Sequence, residues 1–297
     1  MPDAPAGCGP SLAQALEHAG ARLARAGVAN GRREATALWA TLAGVAPGEA
    51  WIQRDRPASG AVLDRFWDAV ERRSSGVPFA YAVGRVAFRH LELHVDPRAL
   101  IPRPETEGLV DLVLQWGKRE GGRGNGGSAA DIGTGCGCIA LSLAVEGNFE
   151  RVIAVERSLD AAALARENVE RIRPAVPVDV RDGDLIAPLG RELFRVIVAN
   201  PPYLTVQEYE ELDPSVRNFE PKEALVSGSD GLDATRALLA RAGARLEPDG
   251  LLALEIDERR ADAVRALARE LGWARTTIRE DLFGRPRYAL IIPREEA

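Results

Sequence analysis

From about residue 11 to residue 73 the apolar residues recur at helical spacing. Leu12, Leu16 and Leu23 form one stripe behind Ser11, which is available as an N-cap. A second segment carries Ala37, Leu38, Trp39 and Leu42, and a third, over 61–73, presents Val62, Phe66, Trp67 and Val70 before stopping at Ser74-Ser75-Gly76-Val77-Pro78. The pattern predicts a small helical bundle. Between Gly84 and Val95 the period changes to two, through Val86, Phe88, Leu91, Leu93 and Val95, which predicts the two short strands of a hairpin. Pro97, Pro102 and Pro104 then argue against regular structure.

Beyond a glycine-rich run at 121–127, read as a surface loop, short apolar strands alternate with helical segments, the signature of a parallel α/β sheet. The predicted strands are 129–132, 151–155, 176–180, 194–199, 251–256, 276–278 and 288–292. The turn between the last two is too short for a helical crossover, so they should pair antiparallel at an edge. The expected organisation is a helical domain at 1–80, a hairpin and Pro-rich linker at 81–107, and a doubly wound, seven-stranded, mostly parallel sheet domain at 108–297.

Composition narrows the function classes. With 46% hydrophobic and 28% charged residues among 297, the chain can build a core and a hydrated surface, which excludes disorder as its main state. Lys+Arg 38 against Asp+Glu 44 leaves a net charge of −6, which argues against a surface built wholly to hold nucleic acid. The first residues have neither a basic start nor an apolar core, and no stretch stays apolar for the roughly 18 residues a membrane helix needs. A cytoplasmic protein without membrane contact is expected. Cys8, Cys136 and Cys138 fit reduced thiols better than a disulfide framework.

The run Asp131-Ile132-Gly133-Thr134-Gly135-Cys136-Gly137-Cys138 leaves the first predicted strand and opens a helix at 139–145. Alternate glycines let the backbone turn sharply and approach a ligand, and the helix start offers amide donors. The third glycine of a dinucleotide fingerprint is absent, because Cys138 holds that position. The next strand ends in Glu156, roughly 20 residues beyond the loop, where a carboxylate can accept both ribose hydroxyls of a nucleoside. After the third strand, Asp184 is placed to accept from an adenine amine, with Leu185 packing on the ring; Asp182 is read as a solvated turn residue. Gly133, Thr134, Gly135, Cys136, Gly137, Glu156, Asp184 and Leu185 are therefore the candidate cofactor contacts, joined by Asn200 at the end of the fourth predicted strand. Cys136 and Cys138 without further cysteine or histidine make a poor zinc site, so no metal is assigned.

The strand at 194–199 runs into Asn200-Pro201-Pro202-Tyr203. Two prolines stiffen the backbone and remove two amide donors, leaving carbonyl acceptors, and Asn200 adds a side-chain acceptor. Two acceptors at a set separation suit an NH2 group. An amide or aromatic amine is a poor nucleophile because its lone pair is delocalised. If the Asn200 oxygen and the Pro201 carbonyl each accept one N–H, the nitrogen is aimed at an electrophilic methyl and its developing positive charge is stabilised. Tyr203 can stack on the flat substrate group.

The glycine loop, Glu156 and Asn-Pro-Pro-Tyr together resemble the class I S-adenosylmethionine-dependent methyltransferases that modify planar amino groups. Four further stretches resemble the bacterial peptide chain release factor glutamine methyltransferases: Tyr81-Ala82-Val83-Gly84 followed by Phe88; Leu100-Ile101-Pro102-Arg103-Pro104-Glu105-Thr106-Glu107; Glu220-Pro221-Lys222-Glu223-Ala224-Leu225; and Asp281-Leu282-Phe283-Gly284-Arg285-Pro286-Arg287. The resemblance covers essentially the whole chain. It implies the class I methyltransferase fold with an N-terminal helical bundle, S-adenosylmethionine as cofactor, and as partner a class 1 release factor, methylated on the side-chain amide nitrogen of the glutamine in Gly-Gly-Gln. Glu156 stands where that family usually has aspartate and reaches one methylene further.

Within that frame Asn200, Pro201, Pro202 and Tyr203 are expected to carry the chemistry and bind substrate, with Phe88 either lining the entrance or filling core. Arg103 and Glu105 are expected to stiffen the linker through a salt bridge, Glu107 to reach the methionyl end of the cofactor, and the helical bundle to grip the release factor. A monomer without direct nucleic-acid contact is expected. The competing reading is an adenine amino methyltransferase acting on DNA or RNA, for which the same tetrapeptide serves.

Overall fold

The computed structural model describes residues 10–58, 60–119 and 126–293. Cys8 and positions 121–125 of the glycine-rich run lie outside the described residues. The chain divides into two compact units, Met1–Gly84 with Pro214–Phe219, and Arg85–Asp213 with Glu220–Ala297. The hairpin thus belongs to the second unit.

In the first unit, α1 (Leu12–Arg25), α2 (Gly31–Ala43) and α4 (Ala61–Ser74) follow the periodic segments, and the short α3 (Pro47–Ile52) and α5 (Phe79–Val83) complete it. The short pair went unpredicted because neither is long enough to display a period. Ser11 caps α1 as expected: its hydroxyl accepts the Gln14 N–H at 3.3 Å while the Gln14 side chain accepts the Ser11 N–H at 3.0 Å. Leu12, Leu16 and Leu23 are buried with Leu38, Phe66 and Val70 in one core. Helices α1 and α2 approach closely at two glycines, where a Cβ on Gly31 would stand 2.5 Å from the Gly20 carbonyl oxygen.

The second unit opens with β1 (Arg85–Phe88) and β2 (Leu91–His94), an antiparallel hairpin. The expectation that Pro104 excludes regular structure is overturned. Helix α6 (Pro104–Arg119) begins on that proline, at the first helical position, where a missing N–H leaves no intrahelical bond unmade. The sheet follows: β3 (Ser128–Ile132), α7 (Cys138–Glu146), β4 (Arg151–Glu156), α8 (Leu159–Ile172), β5 (Val178–Asp182) and β6 (Phe194–Ala199). The chain continues through α9 (Val206–Glu210), α10 (Pro214–Arg217), α11 (Asp233–Arg241), β7 (Leu246–Glu255), α12 (Ala261–Glu270), β8 (Arg275–Glu280) and β9 (Pro286–Ile292). Segment 214–219, with α10, belongs to the first unit.

The seven strands lie in the order β5-β4-β3-β6-β7-β9-β8, parallel except for β9, which runs antiparallel to both its neighbours. The final two strands pair as expected, with β9 inserted beside β7 and β8 left at the edge. The third strand begins at Val178 rather than 176, since Pro177 has no N–H for the ladder, and it ends at Asp182. Strand β7 begins earlier than expected, with a register irregularity against β6 between Phe194 and Val196. Strands β3 and β6 are buried throughout, and Ile153, Phe194, Ile197, Leu252, Leu254 and Ile291 share one core cluster.

Candidate active site

Parallel register pairs Ile132 of β3 with Ala199 of β6, so Gly133 and Asn200 leave the sheet side by side. Strand order reverses between these two strands, the position where open α/β sheets bind ligands beyond their carboxyl ends.

On the β3 side, Gly133, Gly135 and Gly137 have φ of 74°, 57° and 89°, a region that strains other residues. The N–H groups of Gly133 and Thr134 donate to the Val155 carbonyl at 2.8 and 3.0 Å. Glu156 accepts the Gly135 N–H at 2.9 Å through Oε2 and the Ser158 N–H at 2.9 Å through Oε1. Beneath the loop, Asp131 accepts the Thr134 hydroxyl at 2.6 Å and the Ala140 N–H at 3.0 Å. It thereby caps α7, whose own N-cap, Gly137, has no side chain. Burial pushes the Asp131 carboxyl up to about 7, against the opposing pull of those two hydrogen bonds. The Asn168 amide donates to the carbonyls of Cys136 and His94, each at 2.9 Å, tying the loop to the hairpin.

On the β6 side, Asn200 Nδ2 donates to the Thr106 hydroxyl at 3.1 Å, and that hydroxyl donates to Glu255 Oε2 at 2.7 Å. Thr106 and Glu255 are buried, at 2% and 1% exposure. Burial pushes the Glu255 carboxyl up to about 7, opposed first by the Thr106 hydrogen bond and then by the positive charge of Arg287 and Arg103. Tyr203 is largely desolvated, which pushes its phenol up to about 12. Glu220, itself buried, accepts the Ile101 N–H at 3.1 Å and Arg103 Nη2 at 2.7 Å. This joins two of the stretches singled out in the sequence.

A cavity of about 630 Å³ opens between the two strand ends. Of the predicted residues, Gly133, Thr134, Gly135, Cys136, Glu156, Asp184, Leu185, Asn200 and Pro202 line it. Gly137, Pro201, Tyr203 and Phe88 are not among its walls. A Cβ on Gly137 would touch Leu141 and Ala165, so that glycine serves the packing of α7 on α8. Pro201 is buried, and Phe88, 1% exposed, fills the hairpin's core, the second of the two alternatives held for it.

Two further expectations are corrected. Arg103 pairs with Glu220 rather than Glu105, because the buried Glu220 carboxylate needs a cation; Glu105 faces Arg285 at 3.3 Å. Glu107 turns to the hairpin, where it accepts the Arg89 N–H at 3.0 Å, instead of reaching the cavity. Asp182, the last residue of β5, is exposed and outside the cavity as expected, in an ion pair with Arg166 at 2.7 Å. Sequence reasoning missed Thr106, Glu255 and Asn168. Thr106 lay inside a quoted motif, whereas nothing local marks the other two.

The PrmC N-terminal domain model matches residues 14–84, and the methyltransferase small domain model matches residues 118–213. The release factor glutamine methyltransferase of Moorella thermoacetica is 39% identical over 287 residues, covering 96% of this chain and 100% of that protein. Its counterpart from Deinococcus radiodurans is 39% identical over 279 residues, covering 93% and 96%. The chain belongs to the release factor glutamine methyltransferases. The chain is accordingly an S-adenosylmethionine-dependent protein glutamine methyltransferase. Solved structures agree on the fold. A methyltransferase from Pyrococcus furiosus superposes with a TM-score of 0.52 at 24% identity, covering 74% of this chain and 97% of that one. The hMettl16 catalytic domain gives 0.58 at 18% identity, covering 86% and 90%.

The cavity fits the cofactor of such an enzyme. A Cβ on Gly133 would meet nothing within 4 Å, and one on Gly135 only the Ala99 methyl at 3.9 Å, so the loop presents bare backbone to open space. A carboxylate, Glu156, and an apolar side chain, Leu185, line the same space, matching the hydroxyls and flat ring of a nucleoside.

Proposed function

We propose that this methyltransferase modifies the side-chain amide nitrogen of the glutamine in the Gly-Gly-Gln tripeptide of bacterial class 1 release factors. The observation that carries the reading is the Asn200 side chain, which lines the cavity while its NH2 is engaged by Thr106, leaving the oxygen as the free polar end. The same-family relatives carry the release factor name, which supports the choice of substrate over a nucleobase.

Gly133, Thr134, Gly135, Glu156, Asp184 and Leu185 hold S-adenosylmethionine, which when bound supplies an electrophilic methyl group. Asn200 Oδ1 and the Pro201 carbonyl accept the two N–H bonds of the substrate amide, turning its nitrogen toward that methyl. The two acceptors also stabilise the positive charge that grows on nitrogen as the new N–C bond forms. Tyr203 supports the flat amide, and the surplus proton leaves to water, so no general base is required. The helical domain holds the release factor. The enzyme acts in the cytoplasm as a monomer and without direct nucleic-acid contact.

The test is mass spectrometry of unmodified release factor incubated with the protein and S-adenosylmethionine, followed by fragmentation of the Gly-Gly-Gln peptide. One added methyl on the glutamine is expected. An unchanged release factor alongside methylated RNA or DNA in a parallel reaction would falsify the reading in favour of an adenine amino methyltransferase.

A further inference from the structure

The Asn200 amide has a donor end and an acceptor end of nearly the same shape, and only one way round serves an NH2 substrate. With Oδ1 toward the substrate, Asn200 accepts; with Nδ2 toward it, donor faces donor. The chemistry of the neighbours decides which way it lies. A hydroxyl has one proton, and an ionised carboxylate can only accept. Glu255 therefore takes the Thr106 proton, at 2.7 Å, and Thr106 is left with lone pairs alone to offer Asn200, which must present Nδ2, at 3.1 Å. Among the described residues no protein donor is bonded to Oδ1. Both Thr106 and Glu255 are out of solvent, so water does not compete for these bonds.

We propose that Thr106 and Glu255 are positioning residues, a two-step hydrogen-bond relay that orients the Asn200 side chain with its oxygen toward the substrate amide. This rests on the glutamine reading above and deepens it. Thr106 is part of the cavity wall and Glu255 is not, and both act on the substrate amide through Asn200. The three come from separate elements, the first turn of α6, the end of β7 and the residue after β6, and no local motif joins them.

The relay has a direction set by protonation. When Glu255 takes up a proton, its O–H donates to Thr106, the Thr106 proton turns to Asn200, and the amide is free to rotate with Oδ1 inward. The clamp then faces the substrate with the wrong end. Groups around Glu255 set where this occurs. Burial raises its carboxyl to about 7, with Glu105 of α6 adding to the rise, while Arg287 of β9 and Arg103 before α6 oppose it. Tyr203 and Tyr288, each with a phenol raised to about 12, face the same carboxyl and stay neutral below that value. Turnover rising with pH through the neutral range follows.

The experiment compares the wild type, T106V, T106S and E255Q, reading kcat and KM for release factor methylation from pH 6 to 9 and cofactor affinity by calorimetry. T106V is expected to lower kcat on the order of 10- to 100-fold, the effect of losing one buried polar partner, with cofactor Kd moving less than about twofold. T106S keeps the hydroxyl and should stay within about threefold of wild type. E255Q still accepts from Thr106 but does not titrate, so the acid limb of the kcat profile should vanish. T106V with unchanged kcat, T106S as impaired as T106V, or an acid limb that survives in E255Q each overturns the relay while leaving the glutamine reading intact. A wild-type enzyme that leaves the release factor glutamine unmodified overturns the reading and the relay together.

Discussion

The two walls of the cavity are built by different means. The β3 wall is held mainly by short-range bonds, Asp131 to Thr134 across 3 positions, Asp131 to Ala140 across 9 and Gly135 to Glu156 across 21, with Asn168 to Cys136 across 32 as a longer tie. The β6 wall is held by long-range ones, with Asn200 to Thr106 spanning 94 positions and Thr106 to Glu255 spanning 149. A cofactor shared by many reactions can be gripped by the ends of adjacent parallel strands and the loops that leave them. A substrate-specific clamp needs an orientation that no single segment can impose, so it draws on three elements brought together by the sheet. The physical contrast is between a wall whose geometry is in its backbone and a wall whose geometry is in its side-chain protons.

Breaking the first wall should have the largest effect. Gly135→Val puts a β-branched residue at φ 57° and its side chain into the cavity. Cofactor affinity should fall at least about 100-fold, and turnover with it, because both strain and occlusion act at one point. Titration calorimetry showing wild-type affinity in a folded variant would remove the loop from the cofactor site.

The second wall should fail differently. Asn200→Ala removes the acceptor without touching the glycine loop, so kcat for glutamine methylation is expected to drop by about 100- to 1,000-fold, with cofactor Kd within about threefold. A fall in cofactor affinity as large as the fall in kcat would mean that the walls are not separable.

A smaller effect is expected on stability. Glu255 holds its proton up to about pH 7 when folded but only to its ordinary 4.5 when unfolded. Between those values the folded chain carries more protons, so its contribution is fully present below 4.5 and is lost as pH rises toward 7. Asp131 acts with the same sign from 3.8 to about 7. E255Q should therefore reduce the drop in Tm between pH 5 and pH 8 by a few degrees, since about 1 kcal/mol moves Tm by roughly 2–4 °C in a large domain. Equal drops in variant and wild type would show that Glu255 is ionised in both states over that range.

Reading the residues in order recovered most of the fold, because the helical stripe of Leu12, Leu16 and Leu23 and the apolar runs at 151–155 and 194–199 are local consequences of which side faces a core. It failed where length or context decided. Helices α3 and α5 are too short for a period, and Pro104, an interrupter by composition, starts a helix because of where it stands in α6. At the site, the glycine loop and Asn200 could be singled out because their residue types are unusual and adjacent. Glu255 could not. A glutamate at the end of an apolar strand reads as the place where the strand meets water, and only the packing of α6 over β7 makes it a buried acceptor at 1% exposure.

By itself, the sequence determined the elements, the family resemblance and the chemical types at the cavity: bare glycine backbone, a carboxylate, and an amide beside stiff prolines. Those follow from side-chain identity and spacing, which act within a strand, a turn or a helix. The tertiary structure alone decided which groups share protons. It sent Arg103 to Glu220, Glu107 to Arg89, Phe88 into the core and Thr106 between Asn200 and Glu255. A hydrogen bond depends on ångström-scale approach between distant segments, and that distance exists only once the sheet has assembled.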